Sequence, residues 1–593
     1  MSLKATSPST LEEGARRGTA PDAVPRLRPA GAGDRQEGSL LLLVAAFVLL
    51  FCLLPLLRLF AEVFAAGPAE GLEIARALFE NRFARQAVVN TLEAGLLATL
   101  VSILLGGGLA LAIGLTDLRA KALLTFLALL PLLIPAQIAA LAWLELVGPS
   151  SFLWQLPGLD YPAGSRNPLY GREGIVLLMG VEHAPMVFLT VRAGLRALPD
   201  ELIEAARAAG ARPLRLTFGI VLPLLRPALL AGGALAFVSA IGNFGVPALL
   251  GIPGRYTMLT TFIYQRLNGF GPSVLGEVAL LAALLAAIAA VGLAVQAAAA
   301  RRGKLSLERG GRALQPFALG RRRWRVEATV WGLLILIGVL PLLALLNSSV
   351  AQALGVPVTP DTATLRHFGD VLANQITARA FVNSTLLAGL AAVSCVLVSV
   401  PLAYLAVVRN RSLARLLTLI SDAPYALPGI VLSIACILLY LRPLPLLEVG
   451  LYGSFWILAV AYLGRFLALA LRPAISGVEQ LDPRLEEAAQ IAGAGGWRRL
   501  RDIVLPLAAP PAAAGGMLVF MAAFNELTVS ALLWSAGNET LGVVIFALYD
   551  EGNSNAAAAV SVLTVIVTLA IAAAATLFAR WTEMPRGVLP WQT

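Results

Sequence analysis

Apolar runs recur along the chain from Ser39 to Phe578. Each is long enough to cross the roughly 30 Å hydrocarbon core of a bilayer, which takes about 20 helical residues. The windows fall near 40–62, 91–115, 122–147, 174–194, 224–247 and 275–298, then near 328–348, 383–407, 413–440, 452–472, 511–534 and 556–579. This pattern predicts an all-α polytopic membrane protein with twelve transmembrane helices in two sets of six.

The polar stretches between the runs set the expected orientation. Basic residues collect in the Asp117 to Lys121 turn, in the Arg192 to Arg215 segment, between Arg301 and Arg325, and in the Arg409-Asn410-Arg411 turn. Membrane insertion leaves short basic loops in the cytoplasm, so these segments and both termini are expected there. Segments 63–88, 148–172, 248–274, 349–380, 441–451 and 535–555 are expected on the other side. Residues 1–38, rich in Pro, Gly, Ala and Arg, read as a disordered cytoplasmic tail. The run that follows is longer than a signal-peptide core of about 7–15 residues, so an uncleaved helix is expected. Residues 301–326, with Arg321-Arg322-Arg323 near the end, read as a basic linker between halves at 39–300 and 327–593.

The two sets are copies. Glu204-Ala205-Ala206 recurs as Glu487-Ala488-Ala489, an offset of 487 − 204 = 283. At that offset Gly210 meets Gly493, Ile220-Val221-Leu222-Pro223 meets Ile503-Val504-Leu505-Pro506, and Pro227 meets Pro510. The same register pairs Gly254 with Gly537, Thr257 with Thr540 and Gly269 with Gly552. Asn90-Thr91 matches Asn383-Ser384, and Leu109-Ala110 matches Leu402-Ala403, at a slightly larger offset. Each half holds an even number of spans, so the repeats lie parallel about a pseudo-twofold axis along the membrane normal.

Composition narrows the function classes. Of 593 residues, 58% are hydrophobic and 13% charged, against about 25% charged in soluble domains. The net charge of +10 is spread between apolar runs and does not form one basic face with interleaved aromatics, so nucleic acid is not an expected partner whereas membrane lipid is. Cys52, Cys395 and Cys436 lie inside apolar runs without metal-ligand spacing, and His183 and His367 are the only histidines. No metal site, catalytic residues or resident cofactor is expected. A Gly-x4-Gly-Lys-Ser/Thr phosphate loop is absent from the chain, so any ATP hydrolysis needs a separate subunit.

The Glu-Ala-Ala segments carry the most specific signal. Each is a strong helix former following Leu198-Pro199-Asp200 or Leu481-Asp482-Pro483, where Asp and Pro suit a helix start. Gly210 and Gly493 suit a left-handed C-cap. A second short helix, with Arg212 and Arg215 or Arg498, Arg499 and Arg501, then leads to a Pro at the membrane. This arrangement resembles the coupling loop of binding-protein-dependent ABC importer permeases, here in both halves, over 199–223 and 482–506. The resemblance implies a homodimeric ATPase subunit that docks on these loops and carries ATP and Mg, with Glu204, Ala205, Ala206, Gly210, Glu487, Ala488, Ala489 and Gly493 as the coupling residues. It also implies a periplasmic binding protein that delivers substrate, and a bacterial inner membrane. Fused halves, with Ala426-Leu427-Pro428-Gly429-Ile430-Val431-Leu432 and Tyr462-Leu463-Gly464-Arg465-Phe466-Leu467, are similar to the ferric-iron branch, whose relatives take thiamine or aminoalkylphosphonate.

Buried polar residues are the candidates for the translocation path, because an ionisable group at bilayer depth is costly and faces the bundle interior. Glu182 and Arg465 are equivalent, since 465 − 182 = 283, and are expected to pair across the pseudo-twofold axis as a lock or a gate. Asn525 and Glu526, with Asn243 equivalent to Glu526, are further candidates: a carboxylate and an amide suit a hard cation by ligand type. Pro131, Pro135, Pro424 and Pro428 are expected to kink the third and ninth spans. A secondary carrier driven by an ion gradient also uses twelve spans in parallel halves, but it gives no reason for paired Glu-Ala-Ala loops.

Overall fold

A computed structural model describes residues 31–65, 73, 76–78, 80–155, 164–198, 200–306, 317–443, 448 and 450–581. Among these residues the chain is helical throughout, with one isolated bridge between Thr116 and Phe317. Among the described residues ten helices are long and apolar enough to cross a membrane, or twelve if each of two bent pairs is one span. A chain buried in lipid must satisfy every backbone group within its own segments, and helices do so.

The first half comprises α1 (Gln36–Phe64), α2 (Arg82–Leu115), α3 (Lys121–Leu133), α4 (Ala136–Val147), α5 (Arg172–Arg196), α6 (Asp200–Ala208), α7 (Arg226–Gly242), α8 (Leu259–Phe270) and α9 (Leu275–Ser306). The second repeats it as α10 (Gly320–Val350), α11 (Gln375–Val408), α12 (Ser412–Ala426), α13 (Gly429–Tyr440), α14 (Phe455–Glu479), α15 (Pro483–Ile491), α16 (Leu505–Phe524), α17 (Leu541–Asp550) and α18 (Ser554–Trp581). Equivalent helices start alike. Asn81 accepts from the N–H groups of Phe83 and Ala84 before α2, and Asn374 accepts from those of Ile376 and Thr377 before α11, an offset of 374 − 81 = 293. An asparagine carbonyl satisfying two orphan N–H groups is the favoured way to begin a helix.

Several expectations change. Residues 31–38 of the expected disordered tail are helical and continue into α1, while residues 1–30 lie outside the described residues. The basic triplet Arg321-Arg322-Arg323 forms the first turn of α10 instead of a tether; residues 307–316 of the expected linker lie outside the described residues. The third and ninth spans are broken, not kinked. The backbone turns extended at Ile134 and Pro135, and again at Leu427 and Pro428, and α12 meets α13 at 106°. Pro135 and Pro428 lack the N–H a continuous helix needs, and each restricts the residue before it to extended conformations. Pro131 and Pro424 lie within α3 and α12.

The halves exchange their first helices. α1 packs on α13 and α14 of the second half, where Cys52 lies 3.7 Å from the Gly464 carbonyl oxygen. A Cβ on Gly464 would sit 2.2 Å from the Phe51 carbonyl oxygen, so only glycine permits this approach. α10 packs reciprocally on α4, and Asn347 donates to the Ser150 carbonyl at 3.0 Å.

Candidate functional site

The two Glu-Ala-Ala segments adopt one geometry. α6 and α15 end in matching turns: Ala211 N–H reaches the Ala206 carbonyl at 3.0 Å and Ala494 N–H reaches Ala489 at 2.9 Å. Gly210 and Gly493 stand between at φ +75° and +78°. These are Schellman caps, which need a left-handed residue after the helix. No atom lies within 4 Å of a Cβ built on either glycine, so conformation and not space selects it. Asp482 accepts from Arg484 N–H at 3.0 Å, capping α15; Pro199 and the Asp200 side chain lie outside the described residues. One-turn helices Pro213–Leu216 and Gly496–Arg499 follow. Then Leu222 N–H bonds the Thr217 carbonyl, and Leu505 N–H the Leu500 carbonyl, five residues back in each half. These π turns precede Pro223 and Pro506, whose missing N–H loosens the ladder there. Glu204 and Glu487 are exposed, beside the exposed equivalent pairs Leu202 with Leu485 and Leu214 with Trp497.

At the centre of the bundle the four polar candidates pair within each half. Glu182 on α5 accepts from Asn243 Nδ2 at 2.8 Å, and Arg465 on α14 stands 3.6 Å from Glu526. The expected Glu182–Arg465 pair across the axis is therefore not formed. The spacing explains it: 243 − 182 = 61 and 526 − 465 = 61, so each residue meets its equivalent partner inside its own half. Asn243 and Glu526 share a second role, accepting from Val246 N–H at 3.1 Å and Val529 N–H at 2.8 Å, and so hold the unwound chain after α7 and α16. One fold position thus carries a carboxylate with an amide in one half and a guanidinium with a carboxylate in the other. Glu182 borders a cavity of about 30 Å³ with Pro131, Trp143 and Pro341 of α10, about the volume of one water.

The halves touch nearby in pseudo-symmetric fashion. A Cβ on Gly242 would lie 3.4 Å from Pro428, and Gln137 donates to the Asn525 carbonyl at 3.2 Å. Asn525 itself donates to Met521 O and Thr568 Oγ1, which binds it to α18.

The end of the bundle away from the Glu-Ala-Ala segments carries features that sequence reasoning missed. Tyr264 of α8 meets Phe546 of α17 edge to face, with centroids 6.1 Å apart, and Phe244 lies tilted against both, 5.0 Å from Tyr264 and 6.0 Å from Phe546. Tyr170 and Tyr549 share a 2.7 Å hydrogen bond. Tyr264 and Phe546 are equivalent at 546 − 264 = 282, so one aromatic from each half meets its counterpart. The register has slipped by one residue in this loop. Arg255 (φ 56°), not Gly254, is the counterpart of Gly537 (φ 90°), and Thr257 pairs with Glu539, not Thr540. Gly271, not Gly269, takes positive φ after α8, as Gly552 does after α17.

The Asn-Thr/Ser signature clamps these loops. Asn90 donates to Thr257 O at 2.9 Å and Thr91 accepts from Leu259 N–H at 2.7 Å. Asn383 donates to Glu539 O at 3.0 Å and Ser384 accepts from Leu541 N–H at 2.9 Å. Tyr256 donates to Glu93 at 3.0 Å; burial, then that bond and the Glu93 charge, hold its phenol well above the usual range.

Among the described residues no group of three or more His, Cys, Asp or Glu is placed to hold a metal ion.

Comparison with known proteins agrees with this architecture. The profile of the family described as binding-protein-dependent transport system inner membrane component matches residues 106–304 and again 396–584. A "Probable ABC transporter permease protein" of Sinorhizobium fredii is 28% identical over 560 residues, covering 92% of this chain and 96% of that one. The Fe(3+)-transport system permease protein FbpB 2 of Haemophilus influenzae is 26% identical over 541 residues, covering 89% and 96%. A protein named as a 2-aminoethylphosphonate transport system permease, from Salmonella choleraesuis, is 29% identical over 244 residues, covering 37% of this chain and 81% of that one.

Proposed function

The chain belongs to the family of binding-protein-dependent transport system inner membrane components, as a fused two-half ABC permease, and from that premise we propose that it imports ferric iron delivered by a binding protein. The observation that carries the reading is the pair of Glu-Ala-Ala loops, equal in turn geometry, each offering an exposed glutamate beside exposed apolar side chains. Two such loops fit two copies of one ATPase subunit, which supplies ATP and Mg. The basic turns favour a cytoplasmic side for the loops and both termini, within a bacterial inner membrane.

The aromatic contact between Tyr264 and Phe546 then closes the far side, where the loaded binding protein sits. ATP-driven closure of the ATPase dimer moves the loops, the halves rotate about their axis, and this contact opens. Ferric iron is favoured because the permease named for it is matched across both halves, over 89% of this chain and 96% of its own, whereas the aminoethylphosphonate permease, matched over 81% of its own length, is a shorter chain that meets 37% of this one.

The test is co-purification of the chain with its cognate ATPase. Glu204→Arg with Glu487→Arg is expected to abolish association while the chain still inserts. Retained association in that double variant would refute the docking role.

A further inference from the structure

The two loops have equal turns but unequal seats. Glu37 at the start of α1, 3% exposed, reaches across to the second half. Its carboxylate meets Arg409 at 2.9 Å, Arg411 at 3.4 Å and Arg499 at 2.9 Å. Arg499, also 3% exposed, closes the one-turn helix after Gly493 and meets Glu486 at 3.0 Å, which accepts from the Tyr404 hydroxyl at 3.0 Å. A Cβ on Gly496 would stand 2.8 Å from Glu37 Cγ, so glycine there admits the acid.

The first half seats its loop otherwise. Ile203 occupies the position of Glu486 (486 − 283 = 203) and Leu216 that of Arg499 (499 − 283 = 216), both buried. Pro213 stands where Gly496 admits Glu37. The segment leading into α10 still crosses to the opposite loop, through Phe317, whose ring centroid lies 4.8 Å from the Arg207 guanidinium. Each loop is therefore held by chain from the other half, one by a buried ion cluster and one by an apolar seat with a ring under a cation.

We propose that Glu37 is a positioning residue for the second Glu-Ala-Ala loop, fixing it through Arg499 to the exchanged first helix so that motion of this loop is delivered directly to that helix, which belongs to the first half and packs among the helices of the second. The first loop, seated on Ile203 and Leu216 and crossed by the Phe317 ring, has no charge at those two positions to make such an ionic tie to the opposite first helix. The two ATPase-facing loops are mechanically inequivalent despite their common turn. The delivery of motion rests on the docking role proposed above; the latch itself does not. Removing one partner of a buried ion cluster leaves the others uncompensated, which is strongly destabilising locally, so loss of the Glu37 charge should release the second loop.

The experiment places a nitroxide at Ala209 or at its equivalent Ala492 in the full chain, with Cys52, Cys395 and Cys436 replaced, in nanodiscs. Glu37→Gln is expected to mobilise the label at 492 and leave 209 unchanged. Glu37→Asp should retain order. Gly496→Ala, which displaces Glu37 without altering charge, should reproduce the release, and Phe317→Ala should mobilise only 209. Equal mobilisation of both labels by Glu37→Gln, or of neither, overturns the latch. With the ATPase added, Glu37→Gln should keep association and lower ATP turnover about two- to thirty-fold, the usual range for residues that carry coupling; unchanged turnover overturns the delivery of motion. If the parent chain binds no ATPase yet 492 alone responds, the latch stands and the docking reading falls.

Discussion

Converting the central pair of the second half into that of the first is a direct probe of the bundle's interior. Arg465 and Glu526 stand 3.6 Å apart with side chains 17% and 5% exposed. Coulomb attraction at that distance is about 4–5 kcal/mol with an effective dielectric of 20; coupling measured between neighbouring residues is more often about 0.5–3 kcal/mol. Arg465→Glu removes the attraction and sets a second carboxylate beside Glu526, which keeps its bonds from Val529 and Ser530 N–H. Glu526→Asn leaves Arg465 without its counter-ion. Each single variant should therefore lower the thermal midpoint of the purified chain clearly, since breaking a buried ion pair costs about 3–5 kcal/mol. Arg465→Glu with Glu526→Asn instead rebuilds the Glu182–Asn243 bond of the first half, and the new asparagine can accept from Val529 N–H as Asn243 accepts from Val246 N–H. The double variant should recover about 1–3 kcal/mol relative to the sum of the singles. Midpoints that simply add would show that the repeat does not place these side chains in equivalent surroundings.

Gly210→Ala and Gly493→Ala meet open space but a left-handed backbone, so each should cost about 1–2 kcal/mol and weaken ATPase association about five- to thirty-fold; the asparagine variants should be milder, and equal effects of Ala and Asn would refute the conformational argument. Tyr264→Ala with Phe546→Ala should raise leak of small solutes from proteoliposomes in the absence of any binding protein, whereas an unchanged leak would remove the aromatic contact as the far-side closure. Thr91→Val and Ser384→Ala each orphan a buried N–H, of Leu259 or Leu541, at about 1–3 kcal/mol. Because the sites lie in different halves their midpoint shifts should add; strong non-additivity would show that the clamps act as one unit.

The repeat, the apolar spans and the turns at Gly210 and Gly493 were legible because each depends on local residues in register. The broken spans were half legible: the prolines marked α3–α4 and α12–α13, but how far the chain turned at Pro428 depends on what α13 docks against. Glu182 and Arg465 were found by symmetry, yet their partners were misassigned, because equivalence across an axis says nothing about which way a side chain points. Glu37 was missed entirely. It sits at the flank of an apolar run and looks like an ordinary solvated acid, and its guanidinium partners come from residues 409, 411 and 499, which only the exchange of first helices brings near. The one-residue slip beside Arg255 was hidden because Gly254 offered a plausible match to Gly537, and only backbone conformation separates the two.

The most direct test of the importer assignment is ATP hydrolysis by the chain reconstituted with its cognate ATPase, in the presence of binding proteins loaded with ferric ion, thiamine or an aminophosphonate. Stimulation by the iron-loaded protein alone is the expected result. Stimulation by another loaded protein would contradict the substrate, and failure of the chain to associate with any ATPase would contradict the coupling role of Glu204 and Glu487.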